Sequence, residues 1–287
     1  MSDEDEYDYS GDEGAGFDPA TAPTPRDCAN VLLGPIELDM QLAAIRSLLH
    51  RNRAEDARLL TQLEEIDRRA RSLRGMANER VGDHYGEVFY ETVYQSGTHA
   101  LAALGMVAPL TESVLVRLFR CILRMGDRKR PHPRWNVDDA DPNKWNCKFR
   151  WDQEKSEWQD NIMAGVDQMA KMINIDTILS WEDRQRLKAL FSYRNYMFHN
   201  GMEWPEERAA TFDRLVGTWP AGWFTSARSG DRPWIFYMTQ AFTDDCLALL
   251  ERFVDGVGAM FMRWNESSGL SFDGLLQDAK PSSSRPA

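Results

Sequence analysis

Between Ile36 and Leu73 the apolar residues Leu42, Ile45, Leu49, Leu59, Leu63, Ile66, Ala70 and Leu73 fall at alternating spacings of three and four. Only a helix gathers residues at those spacings onto one stripe, because a strand repeats every second residue. Asn52 and Asp56 interrupt the stripe, which leaves open one long helix or a pair of shorter ones. A helix packed on its own domain and an intermolecular coiled coil both fit the pattern, and either makes residues 36–75 an N-terminal helical extension.

The same periodicity continues from His84 to Gly126, where Pro109 is expected to kink the helix or to start a fresh one after Ala108. Gly126 reads as a stop, and the Pro-rich, charged segment that follows reads as a long exposed loop. Helix is expected again from Phe149 to Ile173. Ser180 with Asp183 three residues on forms a capping-box signature, and Asn200-Gly201 forms a stop signature. The segment from Trp204 to Pro233, rich in Trp, Pro and Gly, reads as irregular, and a last helix from Trp234 to about Trp264, apolar round much of its circumference, should lie centrally. With few strand-like stretches and no internal repeat, the expected class is all-α: a helical bundle over residues 82–264.

Of the 287 residues, 43% are hydrophobic, enough for one main core with appendages. The formal net charge is −11, yet Asp3, Glu4, Asp5, Glu6, Asp8, Asp12, Glu13 and Asp18 all precede the first basic residue, Arg26. The acidity therefore describes a tail more than a folded surface, and it does not exclude a local site for a polyanion. Residues 1–30, poor in large aliphatics, and 265–287, of linker composition, are expected to be disordered or flexible. The N-terminus lacks a cationic stretch followed by an apolar run, and no stretch of about 18 uninterrupted apolar residues occurs, so neither a secretory signal nor a membrane span is expected. Cys28, Cys121, Cys147 and Cys246 form no CxxC and have no histidines at ligand spacing, which points to a reducing cytoplasm with no metal and no cofactor.

The segment SYRNYMFHNG, Ser192 to Gly201, is the chemically distinctive one. On a wheel of about 100° per residue, Leu187, Leu190, Phe191 and Phe198 make an apolar stripe, and Arg194 falls in its middle. Asn195 and His199 flank that stripe one turn apart. A guanidinium drawn toward a core requires an anion. That anion is either an internal carboxylate such as Glu112 or Asp244, with His199 an ordinary helix-end residue, or a ligand admitted by a cleft.

The run Arg194-Asn195-Tyr196-Met197-Phe198-His199 resembles the R-x4-6-H motif of the HEPN superfamily, including the polar residue directly after the arginine. The all-α setting, and Glu112 inside the apolar run Leu104 to Leu115, are similar to that family as well, over roughly Gly82 to Trp264. The resemblance implies metal-independent cleavage of RNA in a composite cleft of a homodimer. It casts Arg194 as phosphate holder, Asn195 as orienting residue, His199 as the proton-moving group and Glu112 as a supporting acid. A 2′,3′-cyclic phosphate product follows from that chemistry. Such domains recur in toxin–antitoxin and phage-defence systems, so an antitoxin or regulatory protein is an implied partner. A non-catalytic module of this type, binding RNA, a nucleotide or a protein, has the same motif. No P-loop, GxSxG or HExxH offers another catalyst.

Arg117, Arg120 and Arg124 share a helix face, and Arg128, Lys129, Arg130 and Arg134 extend the basic run to Trp135. Cations interleaved with aromatics suit a single strand of RNA; a solvated helix face followed by a charged loop fits equally. His84 and His99, on an apolar helix, read as structural.

Overall fold

A computed structural model describes residues 23–72, 76–125, 132–138, 140–172, 175 and 177–268, with the side chains of 76–79, 123–125 and 267–268 excepted. Thr24 opens helix α1 (Pro25–Leu33) with a capping box to Asp27, and Pro25 occupies the first turn. This helix begins inside the stretch expected to be a tail. It holds its place because Cys28, Ala29, Leu32 and Leu33 are buried against two long helices, α3 (Met76–Met125) and α7 (Gln240–Ser268). Gly258 of α7 makes the fit possible, since a Cβ there would lie 1.8 Å from the Pro25 carbonyl oxygen. The acidic residues from Asp3 to Asp18 lie outside the described residues.

The periodic stripe folds as one helix, α2 (Leu38–Ser72), running antiparallel to α3 (Met76–Met125). Its polar interruption is a contact rather than a break: Asp56 Oδ1 accepts a hydrogen bond from His99 Nδ1 at 2.8 Å. The first half of α2 is no extension. Leu42, Ile45 and Leu49 belong to the main core, and Arg46–Glu251 at 2.6 Å and Arg53–Asp244 at 2.5 Å tie it to α7. The second half forms an arm with α3, sealed by Leu59, Leu63, Val88 and Val93.

Helix α3 runs on through Pro109, so no fresh helix starts after Ala108. The Pro109 ring is exposed, whereas Val107, Ala108, Leu110 and Thr111 around it are buried. A proline inside a helix costs about 3 kcal/mol, and each large apolar side chain buried contributes about 1.5–3 kcal/mol, so packing on both sides outweighs the lost hydrogen bond. By length and composition Arg80–Ile122 could cross a membrane; half of its most apolar window is buried against the rest of the fold, as in a core helix.

The helix expected from Phe149 is in its first part a hairpin, β1 (Phe149–Asp152) and β2 (Glu157–Asp160), with Trp151 opposite Trp158. The cross-strand rings, 4.9 Å between centroids, favour the pairing. Helix α4 (Ile162–Met172) follows, and its Gln168 side chain both accepts from the Trp151 N–H and donates to the Trp151 carbonyl, each at 2.8 Å. Helix α5 (Trp181–Asn200) starts at the Ser180–Asp183 capping box and ends at Gly201, whose φ is 72°. After α6 (Glu206–Val216), the stretch expected to be irregular contains strand β3 (Phe224–Ser229), paired antiparallel with β4 (Arg232–Met238). The last helix, α7 (Gln240–Ser268), therefore starts later than Trp234, because Trp234, Ile235, Phe236 and Tyr237 are strand formers. The fold is predominantly helical, with two small hairpins.

Arg134, anticipated as an RNA contact, is instead 0% exposed. Its guanidinium donates to the carbonyls of Lys144 at 2.8 Å, Phe149 at 2.8 Å, Asn143 at 2.9 Å and Asn146 at 2.8 Å, and to the Gln168 side chain at 3.3 Å. Trp158 covers it at 4.7 Å. Burial lowers its pKa to about 10, still far above neutrality, so the cation persists and the loop from His132 to Lys148 wraps round it. Buried Lys144 donates to the carbonyls of Trp135 and Val137 in the same loop. Arg134→Met should leave several buried carbonyls without donors and destabilise the protein by about 3 kcal/mol or more in denaturant unfolding. A loss under about 1 kcal/mol would show that the loop does not depend on this cation.

Candidate functional site

The C-terminal end of α5 is set by aromatic packing. Tyr193 is buried, its ring lies 5.8 Å from Phe212 and 5.2 Å from Phe224, and its hydroxyl donates to the Phe236 carbonyl at 2.7 Å. Tyr196 packs on Trp204 at 5.1 Å, and the Trp204 indole donates to the Gly201 carbonyl at 2.7 Å. The last turns of α5 thus bury Tyr193 and Met197, which directs Arg194, Asn195 and His199 to the other side. Phe198, expected on the buried stripe, is 56% exposed, because near its end the helix is held by the Tyr193–Met197 face.

Across from this end stands Glu112 of α3, 8% exposed. One of its oxygens accepts from the Arg194 guanidinium at 2.8 Å, and the other pairs with the Lys148 ammonium. The second arm of the guanidinium donates to Asn195 Oδ1 at 3.2 Å. Glu112 is therefore the carboxylate anticipated for Arg194, whereas Asp244 belongs to Arg53. Lys148 reaches Glu112 because the Arg134 loop delivers it. That loop meets α4 at Gly165, where a Cβ would lie 2.2 Å from the Cys147 carbonyl oxygen. Burial pushes the adjacent Cys147 thiol up to about 12, so it stays protonated and offers no nucleophile.

The ion pairs do not seal the site. Arg194 keeps 32% of its side-chain surface exposed, and together with Asn195, His199, Glu112 and Lys148 it lines a cleft of 970 Å³. Asn195 and His199 are exposed at its wall. The cleft continues along α5 past Ser192 and Lys188 to Arg184 and Trp181, with Asp160 and Asp167 on the opposite side. Asp167 lies 3.4 Å from Arg184. A guanidinium, an amide and an imidazole facing one open volume can hold an oxyanion and move a proton beside it.

The anticipated basic run is not part of this cleft among the described residues. Arg117 is half-buried and donates to the Leu32 carbonyl at 3.2 Å, which caps α1; Arg120 is half-buried on α3. Trp135 packs on Trp145 at 5.6 Å within the Arg134 loop. Arg128, Lys129, Arg130 and the Arg124 side chain lie outside the described residues. Sequence reasoning missed Lys148, Lys188, Arg184 and Trp181. The last three share the helix face of Asn195 and His199 at spacings of three and four, a signal open to anyone extending the wheel toward the N-terminus of α5. Lys148 has no such signal, since its place depends on the folding of the loop.

Comparison with known proteins brings no family model, no curated protein and no solved structure that matches the chain, so the site's chemistry has to carry the functional reading.

Proposed function

We propose that the protein is a metal-independent endoribonuclease of HEPN type, acting in the cytoplasm as a homodimer. The observation that carries this reading is the opening of Arg194, Asn195 and His199 into one cleft, with the guanidinium braced by Glu112 yet still accessible. Arg194 would hold a non-bridging oxygen of the scissile phosphate, and Asn195, hydrogen-bonded to it, would orient the group. His199 would relay the proton as the ribose 2′-oxygen attacks phosphorus and the 5′-oxygen leaves, giving a 2′,3′-cyclic phosphate and a 5′-hydroxyl. The exposed Phe198 beside His199 gives a second copy an apolar foothold at the rim. A place in a toxin–antitoxin or phage-defence system, with a protein that restrains the nuclease, accords with this chemistry.

A second reading, a non-catalytic module that binds RNA, a nucleotide or a protein, is favoured by one fact: Glu112 already compensates two cations, leaving the site less basic than its residues suggest.

Purified protein should cut RNA in the presence of EDTA, leave all-DNA strands intact and yield cyclic phosphate ends. His199→Ala should abolish cleavage with unchanged thermal unfolding, since the side chain is exposed. Wild-type turnover by that variant would refute the nuclease, and salt-sensitive RNA binding without any turnover by the natural protein would establish the second reading. Glu112→Gln retains a hydrogen-bonding side chain but loses the charge that orients Arg194. It should lower kcat about ten- to hundredfold with little change in KM, and an unchanged kcat would mean that Arg194 is positioned by other contacts.

A further inference from the structure

The motif fills only one end of the cleft. Trp181, 72% exposed, stands at the other end, and it is the first residue of α5. Along the axis it precedes His199 by about 27 Å at 1.5 Å per residue. Between them Lys188 lies on the same face, exposed and with no carboxylate partner among the described residues. A large indole left in water at a cleft wall has an unburied flat face, which is the surface on which a nucleobase stacks; such stacking tolerates any base. A lone ammonium midway along the wall suits a phosphate. Over the cleft as a whole Lys148, Arg184, Lys188 and Arg194 face Glu112, Asp160 and Asp167, and the unpaired cation lies between the tryptophan and the motif.

We propose that the cleft is a track for single-stranded RNA, in which Trp181 stacks a base remote from the scissile phosphate and Lys188 holds a phosphate between the two. This rests on the nuclease reading and adds its substrate class: an unpaired strand, since a duplex keeps its base faces stacked and unavailable to an indole. The length of the track corresponds to roughly eight nucleotides of stacked strand at about 3.4 Å per phosphate, and fewer when the strand is drawn out. Short oligonucleotides that reach the motif alone forgo the stacking contact.

The test is fluorescence anisotropy with labelled 2′-O-methyl RNA, which cannot be cleaved, in lengths of about 3 and 12 nucleotides, together with a 12-base-pair duplex. For the long strand Trp181→Ala should raise Kd about tenfold, Trp181→Phe should recover most of that loss, and neither should alter the short strand. Lys188→Ala should reduce the salt slope of long-strand binding by about one. The duplex should bind more weakly than the single strand and be indifferent to Trp181. Equal Kd for the natural protein and Trp181→Ala on the long strand overturns the track, even if His199-dependent cleavage is observed. Conversely, a Trp181-dependent, length-dependent affinity without cleavage upholds the track and refutes only the nuclease. Trp181 is exposed, so its replacement leaves the core untouched, and matched unfolding curves for both variants verify this.

Discussion

A single buried carboxylate joins three parts of this molecule that have little else in common. Glu112 belongs to the long helix α3, Arg194 to the penultimate turns of α5, and Lys148 to a loop organised from within by Arg134. A carboxylate at that depth needs counter-charge and hydrogen bonds together, and the two cations supply both from opposite sides. Because each cation also reaches the cleft, the same contacts that satisfy Glu112 present a basic surface to the open volume. Structural and chemical roles for Arg194 are therefore compatible: a guanidinium held on one edge by a carboxylate keeps other donors for a phosphate.

The cleft is positioned by side chains that do not line it. The aromatic cluster of Tyr193, Trp204, Phe212 and Phe224 fixes the rotation of α5, and hence which side of it faces the cleft. Arg134 fixes the loop, and hence Lys148. Such rigidity is what electrostatic preorganisation requires, since donors that must reorganise during reaction lose much of their effect.

Part of α5 is legible in sequence: the Ser180–Asp183 box and the Gly201 stop are local signals and stand in the structure, whereas the apolar stripe drawn through Arg194 and Phe198 is turned, since Tyr193 and Met197 are the buried residues of those turns and Arg194 borders the cleft. The capping of α1 by Thr24 and Asp27 is equally local, but it follows directly on an acidic stretch whose composition signals a tail. The first hairpin escaped for another reason. FRWD and EWQD are too short to display a period, and their pairing rests on a cross-strand tryptophan contact and on a glutamine from the following helix. Arg134 shows the limit most plainly. Its neighbours in sequence are charges and prolines, which suggests a surface, whereas its partners are four backbone carbonyls that exist in that arrangement only once the loop has closed.

Apolar packing constrains the sliding of one helix along another only loosely, since Leu110, Val114, Leu115 and Leu118 of α3 are near-equivalents in size. Glu112 has no such substitute among them. A slip of α3 by one turn keeps an apolar stripe facing the core but carries the carboxylate about 5.4 Å along the axis, away from both cations at once. The ion triad therefore acts as a key that reads the register of a 50-residue helix, and the correct phase of a largely greasy rod is encoded by its one acid at that level.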